Sequence, residues 1–130
     1  TFIYKGSLPI KNFFSKRILN VGASYINDMK KSEREIEAYL VKSVKNKNGL
    51  CLKWTSPGNA GVPDRIVIVP GGDVYFVELK AEGKRENLSP LQRNFINKLK
   101  NLNCDVRVIA SFKEVDEFIE EVMPNEVYTT

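Results

Sequence analysis

Histidine is absent from all 130 residues. That absence removes imidazole acid-base catalysis and every histidine-containing metal site, and it leaves carboxylates and lysine as the groups able to do chemistry. Cysteine is nearly absent too. Cys51 and Cys104 are the only two, each in an apolar strand-like run rather than in paired C-x-x-C spacing, so no zinc site is expected and the thiols read as buried and reduced. No apolar run approaches the roughly 20 residues of a membrane span, and the N-terminus lacks the continuous apolar core of a signal peptide. These absences predict a soluble, intracellular, cytoplasmic protein without membrane contact. Internal repeats and low-complexity tracts are missing as well.

Positive charge is scarcer than the total suggests. The net +4 invites a nucleic-acid partner, yet residues 1–28 hold four basic groups and one acid, +3, which leaves +1 for residues 29–130. Binding to a polyanion would need a local patch. The basic residues expected nearest the candidate site below are Lys47, Lys53, Arg65, Lys84, Arg85 and Arg93.

What is present is a 42% hydrophobic composition, ordinary for one small domain with a real core. Gly61-Val62-Pro63-Asp64 is followed, fourteen residues after the aspartate, by Glu78-Leu79-Lys80. On Val74-Tyr75-Phe76-Val77-Glu78-Leu79-Lys80 the period of two in a strand puts Glu78 and Lys80 on one face and Leu79 on the other. If Ile66–Val69 pairs with this strand through Pro70-Gly71-Gly72, Asp64 lies beside Glu78 and Lys80. Two carboxylates and a lysine then converge, a set suited to Mg²⁺ or Mn²⁺ and to phosphodiester hydrolysis. Either fragment alone is commonplace, since Glu-x-Lys on an exposed strand is usually a solvated pair and Pro-Asp is a turn signal. The order and spacing of the whole set make it a candidate site.

The remaining elements follow from local signals. Ser32 and Glu35 form a capping box ahead of Ile36, Leu40 and Val44, predicting a helix from Ser32 to near Lys45. On its wheel Glu33 aligns with Leu40 and Val44, Glu37 lies at the edge of that stripe, and Glu35 points away, so Glu33 is the first choice for a helical site carboxylate and Glu37 the second. Leu50–Thr55 reads as a strand leading into Ser56-Pro57-Gly58-Asn59, with Trp54 a core residue at its end before it is a substrate contact. Ser89-Pro90 opens a helix through Leu91, Phe95, Leu99 and Leu102, with Gln92 in its first turn. Asp105–Ala110 is a fourth strand, and Ser111 caps a last helix with Val115, Phe118, Ile119 and Val122 inward. The crossover between the last two strands predicts parallel pairing. The fold class is therefore α/β, in the order helix, three strands, helix, strand, helix.

Lys31 to Val122 resembles the VRR-NUC nucleases of the PD-(D/E)xK superfamily. The resemblance rests on Ser32-Glu33-Arg34-Glu35-Ile36-Glu37, Trp54-Thr55-Ser56-Pro57-Gly58-Asn59, Gly61-Val62-Pro63-Asp64, Val77-Glu78-Leu79-Lys80 and Leu88-Ser89-Pro90-Leu91-Gln92. It implies a restriction-endonuclease-like αβββαβ core with a mixed sheet. It further implies Asp64, Glu78 and the Leu79 carbonyl as ligands of Mg²⁺ or Mn²⁺, Lys80 as the catalytic lysine, a helical glutamate reaching the metal through water, and Gln92 at the edge of the site. The helix is also similar to that of archaeal Holliday-junction resolvases, whose acid-Arg placement favours Glu33. Lys53, Ser56, Asn59 and Arg65 are the candidate substrate contacts.

The expected organisation is an N-terminal extension over residues 1–28, a nuclease domain over 29–123 and a tail over 124–130. Met29 would be a natural start for a stand-alone protein of this kind. Residues 1–28 then form an upstream linker, a natural extension or an added segment, and their Phe13, Phe14, Ile18, Leu19 and Val21 suit packing on the core or on a second subunit. The expected activity is metal-dependent DNA endonuclease cleavage, selective for branched DNA such as Holliday junctions and carried out by a homodimer. A less structure-selective or restriction-like nuclease is the alternative among enzymes, and a non-catalytic nucleic-acid-binding module the alternative of another class. The intact Asp64, Glu78 and Lys80 set speaks against the binder, which has no need of two mutually repelling acids.

Overall fold

A computed structural model of the chain describes residues 29–125. The expected extension over 1–28 and the tail from residue 126 on lie outside the described residues. Helix α1 spans Glu33–Asn46. The Ser32 hydroxyl accepts from the Glu35 N–H at 3.1 Å and the Glu35 carboxylate accepts from the Ser32 N–H at 2.9 Å, so both signals read from the sequence close into a capping box. Ile36, Leu40 and Val44, spaced at four, are fully buried.

Strands β1 (Leu50–Lys53), β2 (Arg65–Ile68) and β3 (Val74–Leu79) form an antiparallel meander, and β4 (Asp105–Ile109) pairs parallel to β3. The sheet order is β1-β2-β3-β4. The β2–β3 hairpin turns where expected, with Gly71 and Gly72 at φ of 101° and 97°, angles that a side chain would disfavour. Helix α2 (Pro90–Asn101) makes the crossover to β4, and α3 (Phe112–Val122) follows it. The result is a mixed four-stranded α/β sheet flanked by three helices.

One face of the sheet carries the main core. Val67, Val77, Leu79 and Ile109 meet Ile36, Leu40 and Val44 of α1 and Val115, Phe118 and Ile119 of α3. The alternation along β3 turns Phe76 and Glu78 to the opposite face, where Trp54 packs 5.1 Å from Phe76 and 5.7 Å from Phe95 of α2, centroid to centroid. This aromatic group is the packing role read for Trp54.

Three local expectations need correction. β1 ends at Lys53, and Trp54 leaves the regular strand with its N–H on the Asp64 carbonyl at 3.0 Å. Leu91 and Leu102 do not face inward but are 58% and 74% exposed. The inward stripe of α2 holds Phe95, Ile96 and Leu99 instead, because Leu102 is the C-cap, past the last regular turn. Among the described residues no helix is long and apolar enough to cross a membrane.

Candidate active site

The register decides what meets. Arg65 pairs with Val77 across the β2–β3 ladder, so Asp64, one residue earlier, comes opposite Glu78. The fully buried Pro63 holds the chain just ahead of it. Asp64 Oδ2 accepts from the Leu79 backbone N–H at 2.8 Å, which ties the aspartate to the strand carrying the other acid. Leu79 sends its side chain into the core and contributes its backbone to the cluster.

Glu78 is the buried charged residue of this region, only 2% exposed. Its Oε2 accepts from Gln92 Nε2 at 2.8 Å and lies 3.4 Å from Lys80 Nζ. Its Oε1 is buried with no hydrogen-bond partner. Burial first, and the neighbouring Asp64 charge second, push the Glu78 carboxyl up to about 7, although Lys80 pulls in the other direction.

Gln92 organises this pair. Its amide oxygen accepts from Lys80 Nζ at 2.9 Å and from the Ser89 N–H at 3.0 Å, while its amide nitrogen donates to Glu78. The capping box of α2 and the site therefore share one side chain, and the cation on one side and the carboxylate on the other fix which way the amide faces. The spacing of Ser89 and Gln92 was a local signal for the cap, but nothing local tells that the same glutamine reaches β3.

Such reach requires the first turn of α2 to come close. Gly61 stands at φ 88°, and a Cβ there would lie 2.4 Å from the Leu91 carbonyl oxygen and 2.9 Å from the Gln92 nitrogen. Only glycine allows that approach.

The two helical glutamates have separate environments. Glu33 is exposed at the rim, and its pKa is raised by the protein mass beside it and then by the charge of Asp64, while Lys80 lowers it. Glu37 is committed elsewhere, accepting from Arg65 Nε at 2.8 Å with Lys53 Nζ at 3.6 Å. Arg65 also donates to the Cys51 carbonyl at 3.3 Å, so much of its guanidinium is engaged within the protein. Lys53 is 64% exposed and remains able to meet a ligand. Asn59 and Ser56 close a turn on each other, Nδ2 to Oγ at 2.9 Å.

Two other basic residues have partners of their own. Lys47 lies at the C-cap of α1, the end away from Glu33, and donates to Asn125 at 2.7 Å. Arg85 pairs with Glu114 at 2.8 Å. The expectation that Lys47 would border the site is corrected, because the length of α1 carries it to the far end of the helix, whereas Arg85 also donates to the Val108 carbonyl, on the residue that pairs with Glu78. Both cysteines are free and half-buried, and burial pushes the Cys51 thiol up to about 11, consistent with an inert thiol.

The donor set can be tested against a cation. Among the described residues no three Asp, Glu, Cys or His side chains gather as a complete metal cage. Two adjacent carboxylates, with an unpartnered buried oxygen on Glu78, fit a hard divalent ion that keeps several waters.

Residues 15–113 match the family model of the VRR-NUC domain. The chain belongs to the VRR-NUC domain family. A solved VRR_NUC domain is similar to it with a TM-score of 0.60 and 33% identity, over 69% of this chain and 96% of that one. Identity reaches 47% over 53 residues with "Putative nuclease p44" of Acyrthosiphon pisum secondary endosymbiont phage 1, a match spanning 41% of this chain and 57% of that relative. In this VRR-NUC domain the convergence of Asp64, Glu78, Lys80 and Gln92 occurs at one end of the β2–β3 pair, with Glu33 approaching from the start of α1.

Proposed function

We propose that this VRR-NUC domain is a divalent-metal-dependent DNA endonuclease of the PD-(D/E)xK type. The observation that carries the reading is Glu78: a buried carboxylate beside a second acid, with one oxygen unpartnered. A structural acid would be fully satisfied. Asp64, Glu78 and the Leu79 carbonyl would hold Mg²⁺ or Mn²⁺, with Glu33 completing the shell through water. When bound, the ion supplies Lewis acidity toward a phosphate oxygen and a more acidic water.

The chain's own residues supply the rest. Lys80, held by Gln92 and Glu78, orients the attacking water and steadies the negative charge that develops on the phosphate. Gln92 keeps Lys80 and Glu78 in register. Lys53 steers the DNA backbone, with Ser56, Asn59 and Arg65 lining the approach. A nearly neutral domain cannot grip a long duplex by phosphate contacts alone. A homodimer presenting two sites to a branched substrate such as a Holliday junction accounts for selectivity better.

A cleavage assay on four-way junction, flap and linear duplex, with and without Mg²⁺ or Mn²⁺, tests this reading. Metal-dependent nicks on opposite strands of the junction, with weaker cutting of linear duplex and a dimer in sedimentation, are expected. Equal cutting of all three by a monomer would replace it with a general nuclease. Binding without cleavage under every metal condition would leave a nucleic-acid-binding module.

A further inference from the structure

Resting on the nuclease reading, the geometry points to Glu82 as a positioning residue that sets where Glu33 stands. Glu82 lies two residues beyond Lys80, where the chain leaves the catalytic strand. Its Oε1 accepts from the Lys31 backbone N–H at 2.9 Å, and its own N–H donates to the Lys31 carbonyl at 3.0 Å. This reciprocal latch joins segments 51 residues apart. One end immediately precedes the N-cap of the helix that carries Glu33, and the other lies just past Lys80, which follows the strand that carries Glu78.

Among the described residues the latch acts on the first turn of α1, ahead of the helix's core contacts. From Ile36 onward the helix is fixed by Ile36, Leu40 and Val44 in the core and by the Glu37–Arg65 pair. Glu33 precedes all of these, in the first turn, where a helix has unpaired N–H groups and frays most readily. The capping box closes that turn on itself but does not attach it to the sheet. Lys31 makes the remaining attachments, through the Glu82 latch and through its ammonium 5.3 Å from the centre of the Phe112 ring. Without the Glu82 carboxylate the latch keeps only the Glu82 N–H to Lys31 carbonyl bond, and the first turn is freer to pivot relative to Asp64 and Lys80. Glu82 touches no reacting group and acts through Glu33.

The role depends on reach and acceptor, not on charge, and three variants separate these. Glu82→Ala removes the acceptor, Glu82→Asp keeps the charge but is one methylene short, and Glu82→Gln keeps an oxygen at the same reach. Mn²⁺ binding measured by calorimetry should weaken about tenfold in Glu82→Ala and Glu82→Asp and stay within about twofold in Glu82→Gln. Junction cleavage should follow the same ranking in kcat with KM unchanged. In a Glu33→Gln background, Glu82→Ala should add less than about a twofold further loss.

Multiplicative losses in the Glu33→Gln background, or Glu82→Gln as impaired as Glu82→Ala, would overturn the role. Should the wild-type chain bind Mn²⁺ and cut DNA while Glu82→Ala does both equally well, the positioning role alone falls. A wild-type chain that neither binds Mn²⁺ nor cuts removes the nuclease reading and this role with it.

Discussion

Two acidic clusters stand on the adjacent parallel strands β3 and β4, and they have opposite characters. On β4, Arg107 reaches Asp105 and, with a second edge, Glu121 at 2.8 Å, while its guanidinium lies 5.7 and 5.5 Å from the Tyr75 and Phe118 rings. Hydrogen bonds to Asp105 and Glu121 raise the arginine pKa, and the bond to Arg107 lowers that of Glu121. At the end of β3 the cation beside Glu78 is Lys80, a point charge shared with Gln92, and Glu78 keeps an unpartnered oxygen and a raised pKa. A planar fork of donors can complete two carboxylates at once, whereas an ammonium on one side of a buried pair leaves them under-neutralised. The β4 cluster is neutralised within the protein, and the β3 cluster is left under-neutralised, which is the basis of the proposed metal site.

Breaking each cluster should have opposite consequences, and the largest effect belongs to β3. Glu78→Gln, Asp64→Asn and Lys80→Ala should each reduce junction cleavage about 10³-fold or more. Junction affinity of Lys80→Ala should remain within a few-fold of wild type, as read by binding in Ca²⁺ or without metal. A large loss of affinity, with bound complexes cut at the normal rate, would move Lys80 from chemistry to DNA binding.

The same Glu78→Gln change should stabilise the metal-free protein at pH 8. A carboxyl whose folded pKa is raised from 4.5 to about 7 contributes stability that is full below pH 4.5 and is lost as pH rises through about 7. The neutral amide does not suffer that loss, so the variant should gain on the order of 2 kcal/mol at pH 8 and little at pH 4.5. Urea melts at the two pH values measure it. Mn²⁺ should raise the melting temperature of wild type and leave the variant nearly unchanged. A variant less stable than wild type at pH 8 would mean that Glu78 is a satisfied structural acid like those on β4.

How much of this contrast was legible beforehand follows from how far each signal reaches. Ser32 with Glu35, Ser89 with Pro90, and the alternation from Val74 to Lys80 are local, and the capped helices and the side-by-side Glu78 and Lys80 came out as read. The hairpin through Gly71-Gly72 was local as well, and with it the meeting of Asp64 and β3. Contacts set by tertiary register were not legible. Glu37 with Arg65, 28 residues apart, and Lys31 with Glu82 leave no periodic trace. Leu102 misled because the apolar spacing continues past a helix end that only the C-cap geometry reveals, and Leu91 because it lies in the first turn, off the stripe of Phe95, Ile96 and Leu99. The choice between Glu33 and Glu37 could be framed on a helical wheel, but the ion pair that engages Glu37 comes from another strand.

On β4 the expected effects are smaller and fall on stability. Arg107→Ala leaves Asp105 and Glu121 facing each other without their cation and removes the guanidinium from the Tyr75 and Phe118 rings. Stability should fall by about 1–2 kcal/mol in urea melts, with cleavage per folded molecule within about twofold of wild type. A loss of cleavage comparable to that of Lys80→Ala would show that the β4 cluster belongs to the reaction and would collapse the contrast.

The smallest effect is expected from Glu121→Gln. Glu121 is 60% exposed, its charge is screened by solvent and salt, and Arg107 keeps Asp105 when it is gone. Because its folded pKa is lowered, its contribution is present above the ordinary carboxylate pKa of 4.5 and is lost as pH falls through the folded value. The variant should therefore melt slightly below wild type at pH 7 in low salt, by no more than about 1 °C, and match it at high salt or in acid. A difference that persists in high salt would mean that the glutamate is held by geometry rather than by charge, and that the β4 cluster is a rigid strut joining α3 to the sheet edge.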